Sequence, residues 1–90
     1  VTETQQISAA AQADPSPACQ ATDIFISQSD PTWAALRCTD PSSGEGYLEV
    51  RHLANGTWAR VSYGTAQVSC GNGVPPNVQA DFASVLGTCP

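Results

Sequence analysis

The sequence predicts an α+β domain. Its expected form is a three- to four-stranded antiparallel sheet with an N-terminal and a C-terminal helix on one face, fastened by two disulfides. Three observations lead there. Four cysteines in 90 residues mark a small domain that supplements its core with covalent ties. Asn55-Gly56 stands between two strand-like runs, the strongest short-range signal for a hairpin. Val78, Phe82, Val85 and Leu86 recur at helical spacing near the C-terminal end.

The elements follow in chain order. Residues 1–15, rich in Ala, Gln and Thr, have Val1 and Ile7 as their only large apolar side chains, so they read as a flexible N-terminal tail ahead of a single domain over 16–90. Ser16-Pro17 resembles a helix cap followed by a first-turn proline. Ala18, Ala21, Ile24 and Phe25 then fall on one face, which predicts a short helix over 17–26. Gln28-Ser29-Asp30-Pro31 is a turn signal. Three strands follow over 32–38, 46–53 and 57–63, with 39–45 as a loop and 66–70 as a short fourth strand. Pro76 or Asn77 opens the last helix, and Gly87 ends it.

Cys19 and Cys38 are 19 positions apart, and so are Cys70 and Cys89. Four cysteines allow three connectivities, and the equal gaps make Cys19–Cys38 and Cys70–Cys89 the expected pairs. Each loop of that size contributes about 3 kcal/mol in the chain-entropy account. No CxxC pair occurs, which argues against zinc ribbons and thioredoxin-like chemistry. Disulfides imply an oxidising compartment, and the start without Met is expected to follow removal of an export signal. The competing picture, four free thiols in the cytosol, suits so small a core poorly.

Composition excludes several functions. Eight acidic residues against three Arg, with no Lys, give a formal net charge of -5, opposite to the footprint of a nucleic-acid binder. No apolar run approaches the roughly 18 residues of a membrane span. One His and no Met leave few transition-metal ligands, so neither a metal site nor a cofactor is expected. His52 is the only imidazole, and no Ser–Asp partnership lies beside it in sequence, so a structural role is expected and no catalysis. Asp40 and Glu45 share a loop without the EF-hand spacing, which reads as a solvated turn. Asn55-Gly56-Thr57 fits a glycosylation sequon, though a tight turn explains it as well.

Strand alternation divides the sheet into two faces. Ala34, Leu36, Cys38, Leu48, Val50, His52, Ala59, Val61 and Tyr63 are expected beneath the helices. Trp33, Arg37, Tyr47, Arg51, Trp58 and Arg60 are expected together on the other side, with Glu49 among them. Such a face is either a laminate of packed stems and wet heads or a contact surface, because Trp, Tyr and Arg are the residue types enriched in binding hot spots.

Cys19, Cys38 in the first strand, Gly56-Thr57-Trp58 at the hairpin, Cys70, and Val74-Pro75-Pro76 with Val78 before Cys89 form a set. In these features residues 19–90 resemble small exported or lipid-anchored four-cysteine proteins of actinobacteria. The resemblance implies a compartment, secreted or at the cell surface, and a fold, with no activity attached. Length and disulfide count also resemble secreted protease inhibitors of the subtilisin-inhibitor kind. The expected function is therefore a secreted, non-enzymatic and monomeric binding module. Its Trp/Arg face would meet a protein or an anionic cell-envelope polymer, with neither nucleic acid nor a membrane span involved. The alternative is an inhibitor of a protease or other hydrolase acting through loop 39–46 or 71–76.

Overall fold

The structure, a computed structural model, describes residues 3–13, 19–41, 43–64, 68, 70 and 73–86. Among the described residues, four consecutive strands lie between two helices: α1 (Glu3–Gln12), β1 (Gln20–Ile26), β2 (Trp33–Thr39), β3 (Gly46–Ala54), β4 (Thr57–Gly64) and α2 (Pro76–Leu86). The strands form one antiparallel sheet in the order β1-β2-β3-β4, so each is hydrogen-bonded to its neighbour in sequence. Such a meander needs only short connections.

The centre of the sheet follows the sequence expectation closely. Asn55 and Gly56 take φ of 54° and 76°, the two positive values that a type I′ turn requires. That turn sets Ala54 opposite Thr57, Leu53 opposite Trp58, His52 opposite Ala59 and Arg51 opposite Arg60. Beyond Arg51 the register shifts: Val50 pairs with Ser62, and Val61 becomes the extra residue of a bulge. The last helix also forms where its periodicity predicts, with Val78, Phe82 and Leu86 buried and Val85 packed beside them.

Three expectations are corrected. The segment expected as a helix over 17–26 is strand β1. Its spacing at 18, 21, 24 and 25 suits a helix, but Thr22, Ile24, Phe25 and Ile26 favour a pleated surface, and β2 offers an edge to pair with. The expected tail contains helix α1, whose Ile7 and Ala11 are fully buried. One aliphatic side chain and one small residue a turn later suffice to seat it, which apolar content did not reveal. Third, the helices lie on opposite faces of the sheet. Ile7 and Ala11 of α1 pack with Cys19, Ala34, Leu36, Cys38 and Trp58. The buried residues of α2 pack with Trp33, Ala35 and Val50. These are alternate residues of β2, so they mark its two sides.

The cause lies in β2. Its burial is nearly continuous from Trp33 to Leu36, as expected of a strand covered on both sides. Thr39 pairs with Gly46, which sets Cys38 opposite Tyr47, Leu36 opposite Glu49 and Ala34 opposite Arg51. The expected phase had set these β2 residues beside Leu48, Val50 and His52. A slip of one residue transfers a strand's whole side-chain set to the other face.

Cys19 and Cys38 are joined as expected, with Cα atoms 5.0 Å apart. The bridge ties the entry of β1 to the end of β2 rather than a helix to a strand. The expected Cys70–Cys89 pair involves Cys89, which lies outside the described residues, and most of the expected strand 66–70 does so too.

Candidate functional site

The slip in phase divides the predicted contact residues. Tyr47, Arg51, Trp58 and Arg60 do share one side, the side that α1 partly covers. Trp33 and Arg37 belong to the other. Both indoles are sealed, with Trp33 7% and Trp58 4% exposed, so an open face carrying two tryptophans does not exist. Trp33 lies beneath α2, its ring stacked on His52 with centroids 4.1 Å apart and planes 18° from parallel.

On the α1 side, Arg51 and Glu49 are 1% and 0% exposed. They stand two residues apart on β3 and therefore point the same way. Arg51 Nε donates to Glu49 Oε1, and Arg51 Nη1 donates to the carbonyl oxygen of Trp58 at 2.8 Å. Arg60, directly opposite Arg51, brings Nη1 to 3.9 Å from Glu49 Oε2. One carboxylate thus lies between two guanidiniums that the hairpin forces together. This removes the like-charge conflict that the sequence implies at Arg51 and Arg60.

The trio reaches solvent through Arg60. Its guanidinium carbon sits 4.6 Å from the Tyr63 ring centre, within cation–π range. Tyr47 meets Tyr63 edge to face at 6.1 Å. Tyr63 is 51% exposed, an unusual position for a large side chain with apolar surface. The sequence reading had placed Tyr63 beneath a helix. The bulge at Val61 turns it outward, opposite Glu49, and no residue type in β4 announces that bulge.

Arg37 occupies a separate place. It lies 3.6 Å from Asp23, and both side chains are half exposed. Its guanidinium carbon is 5.9 Å from the Phe25 ring centre. With Thr22, Thr39, Gly46, Leu48 and Val85 it borders an open groove at the end of the sheet.

Two carboxylates organise backbone rather than bind outward. Asp81 of α2 accepts from Ser27 Oγ at 2.6 Å and from the Ser29 amide at 2.9 Å. These bonds hold its carboxyl below the ordinary aspartate range. Asp30 is lowered likewise, chiefly by the Thr32 hydroxyl at 2.6 Å. Cys19, Cys38 and Glu49 bring their sulfur and oxygen atoms within 4.8 Å of one another. They form no thiolate metal site, because the sulfurs are bonded to each other and Glu49 holds Arg51.

No family model, curated protein or solved structure matches the chain.

Proposed function

We propose that this is an exported binding module of the actinobacterial four-cysteine kind, without catalysis. Its contact surface is the Tyr47–Arg60–Tyr63 patch, and its partner is a carboxylate-rich protein surface or cell-envelope polymer. The observation that carries this reading is Tyr63. A half-exposed ring held between a guanidinium and a second ring is already ordered, so binding costs little side-chain entropy. Arg60 supplies this patch with a guanidinium, whereas the chain as a whole carries a formal net charge of -5. The Cys19–Cys38 bridge favours an oxidising compartment.

Retention on immobilised polyglutamate and polygalacturonate tests the reading. The wild-type chain is retained at low salt and released as salt rises. Tyr63→Ala and Arg60→Gln lose retention, while Arg37→Gln, on the other side of the sheet, keeps it. Failure of the wild type on both matrices, or equal retention by all variants, overturns the assignment.

A second reading, inhibition of a hydrolase, is favoured by the loop between β2 and β3. Asp40 N donates to Glu45 O at 2.9 Å and Gly44 N to Asp40 O at 2.7 Å, which fixes an exposed turn two residues from the bridged Cys38. Stoichiometric inhibition within a panel of trypsin, chymotrypsin, subtilisin and lysozyme would support it, and no inhibition would remove it.

A further inference from the structure

The tip of the β3–β4 hairpin has no part in the contact surface proposed above. Ala54, Asn55, Gly56 and Thr57 are all exposed. Asn55 is the one non-glycine residue with positive φ among the described residues, at 54°. Neither Asn55 nor Gly56 has a hydrogen bond among the described residues. A side chain added at Gly56 would meet nothing within 4 Å, so nothing crowds the peptide from that side. Asparagine is chemically labile where the next amide nitrogen can reach its side-chain carbonyl carbon, and glycine hinders that approach least. The type I′ turn as it stands directs the Gly56 nitrogen away from the Asn55 side chain. Rotating the Asn55–Gly56 peptide plane converts the turn to type II′, whose first central residue has ψ of about -120°. At that ψ the Gly56 nitrogen eclipses Asn55 Cβ, and rotation about χ1 brings Cγ onto it, a near-attack geometry. The same two-residue loop still joins Ala54 to Thr57, and the flip breaks no hydrogen bond of the tip.

We propose that Asn55 is a self-modification site, converted to aspartate and isoaspartate within the folded hairpin through this flip. The Gly56 nitrogen forms a bond to Asn55 Cγ. The Cγ–Nδ2 bond breaks, and ammonia leaves carrying the proton that the Gly56 nitrogen gives up. The product is a cyclic imide. Water then opens the ring at one of its two carbonyls. Opening the bond from Cγ to nitrogen yields aspartate in the ordinary chain. Opening the bond from the backbone carbonyl carbon to nitrogen yields isoaspartate, in which the chain runs through the former side chain. No oxidant or reductant takes part, and water is the only co-reactant. Aspartate tolerates the same positive φ, so that form keeps the two-residue turn. Isoaspartate adds a methylene to the backbone, and the loop then departs from the turn types that fix register. The Ala54–Thr57 and Leu53–Trp58 pairs are the first to loosen. Either product adds a negative charge at the tip, whatever partner the Tyr63 patch has.

The test ages the full disulfide-bonded chain in mildly alkaline buffer, at a temperature where it stays folded, beside a synthetic peptide of residues 52–60. Trypsin releases that same segment from the aged chain, because Arg51 precedes it and Arg60 ends it. Asn55 is its only asparagine, and the other Asn-Gly pair, Asn72-Gly73, falls in a separate fragment. Mass spectrometry is expected to show amide-to-acid conversion of Asn55 in both samples, with aspartate and isoaspartate resolved by chromatography. The folded chain is expected to react no more than about a hundredfold slower than the peptide, with the fraction of flipped turns setting the difference. Slower conversion, or conversion without isoaspartate, overturns the proposal, since the folded turn would then protect Asn55. Hydrogen exchange on the two separated products reads the consequence. The Thr57 amide exchanges faster in the isoaspartate form than in the aspartate form, while the α2 amides behave alike in both. Equal exchange at Thr57 overturns the loosening of register.

Discussion

Helices α1 and α2 cover opposite faces of one sheet and hold to it by different means. Helix α2 buries Val78, Phe82 and Leu86 in a single stripe against Trp33, Ala35 and Val50. At roughly 1.5–3 kcal/mol per large side chain, that stripe contributes about 5–9 kcal/mol before entropy is counted. Helix α1 offers Ile7, about 2 kcal/mol on the same scale, with Ala11 beside it. The faces beneath them differ in the same sense. One is apolar, while the other carries a desolvated ion pair. Above an ion pair, excluding water matters more than apolar mass, and an alanine-rich helix can come close enough to do so. Helix α2 is also tied to the β1–β2 turn through Asp81.

The contrast can be broken at its stronger side first. Phe82→Ala is expected to cost about 3–5 kcal/mol, a large share of the stability of so small a domain, read from denaturant melts. Arg51→Met takes the closer of two guanidiniums from the buried Glu49 carboxylate and should cost about 3 kcal/mol at neutral pH. If it proves neutral, the face beneath α1 is wetter than its burial implies. Ile7→Ala should cost about 2 kcal/mol and act locally, freeing the α1 amides to exchange while the α2 amides keep their protection. A global loss equal to that of Phe82→Ala would erase the distinction between the helices.

Asp81→Asn is the mildest test and the one that depends on pH. The folded carboxyl is held below its ordinary value of 3.8, so its contribution is fully present above that pH. It is lost as pH falls through the lowered folded value. Wild type should therefore melt above Asp81→Asn at neutral pH, and the gap should close in strong acid. A gap independent of pH would show that the charge on Asp81 plays no part.

The sequence revealed elements whose signals are local. The Asn55-Gly56 turn, the β3–β4 pairing beside it, and the Val78–Phe82–Leu86 stripe each depend on residues a few positions apart. The phase between β2 and β3 was not legible. β2 has apolar residues at both parities, so neither side identifies itself. β1 misleads because a short apolar run fits both periods until a pairing edge decides between them. Of the candidate site, Tyr47 and Arg60 were found through hairpin register. Tyr63 was missed because one extra residue at Val61 reverses its direction.

The bridge between Cys19 and Cys38 encloses the whole of β1, the turn after it and most of β2. A peptide bond cut anywhere inside that ring, for instance at the exposed Gln28–Ser29 corner, leaves both pieces in one covalent molecule. Proteolytic nicking there would pass unnoticed on a gel until a reductant was added. The first two strands thus stay joined even after the chain is severed between them.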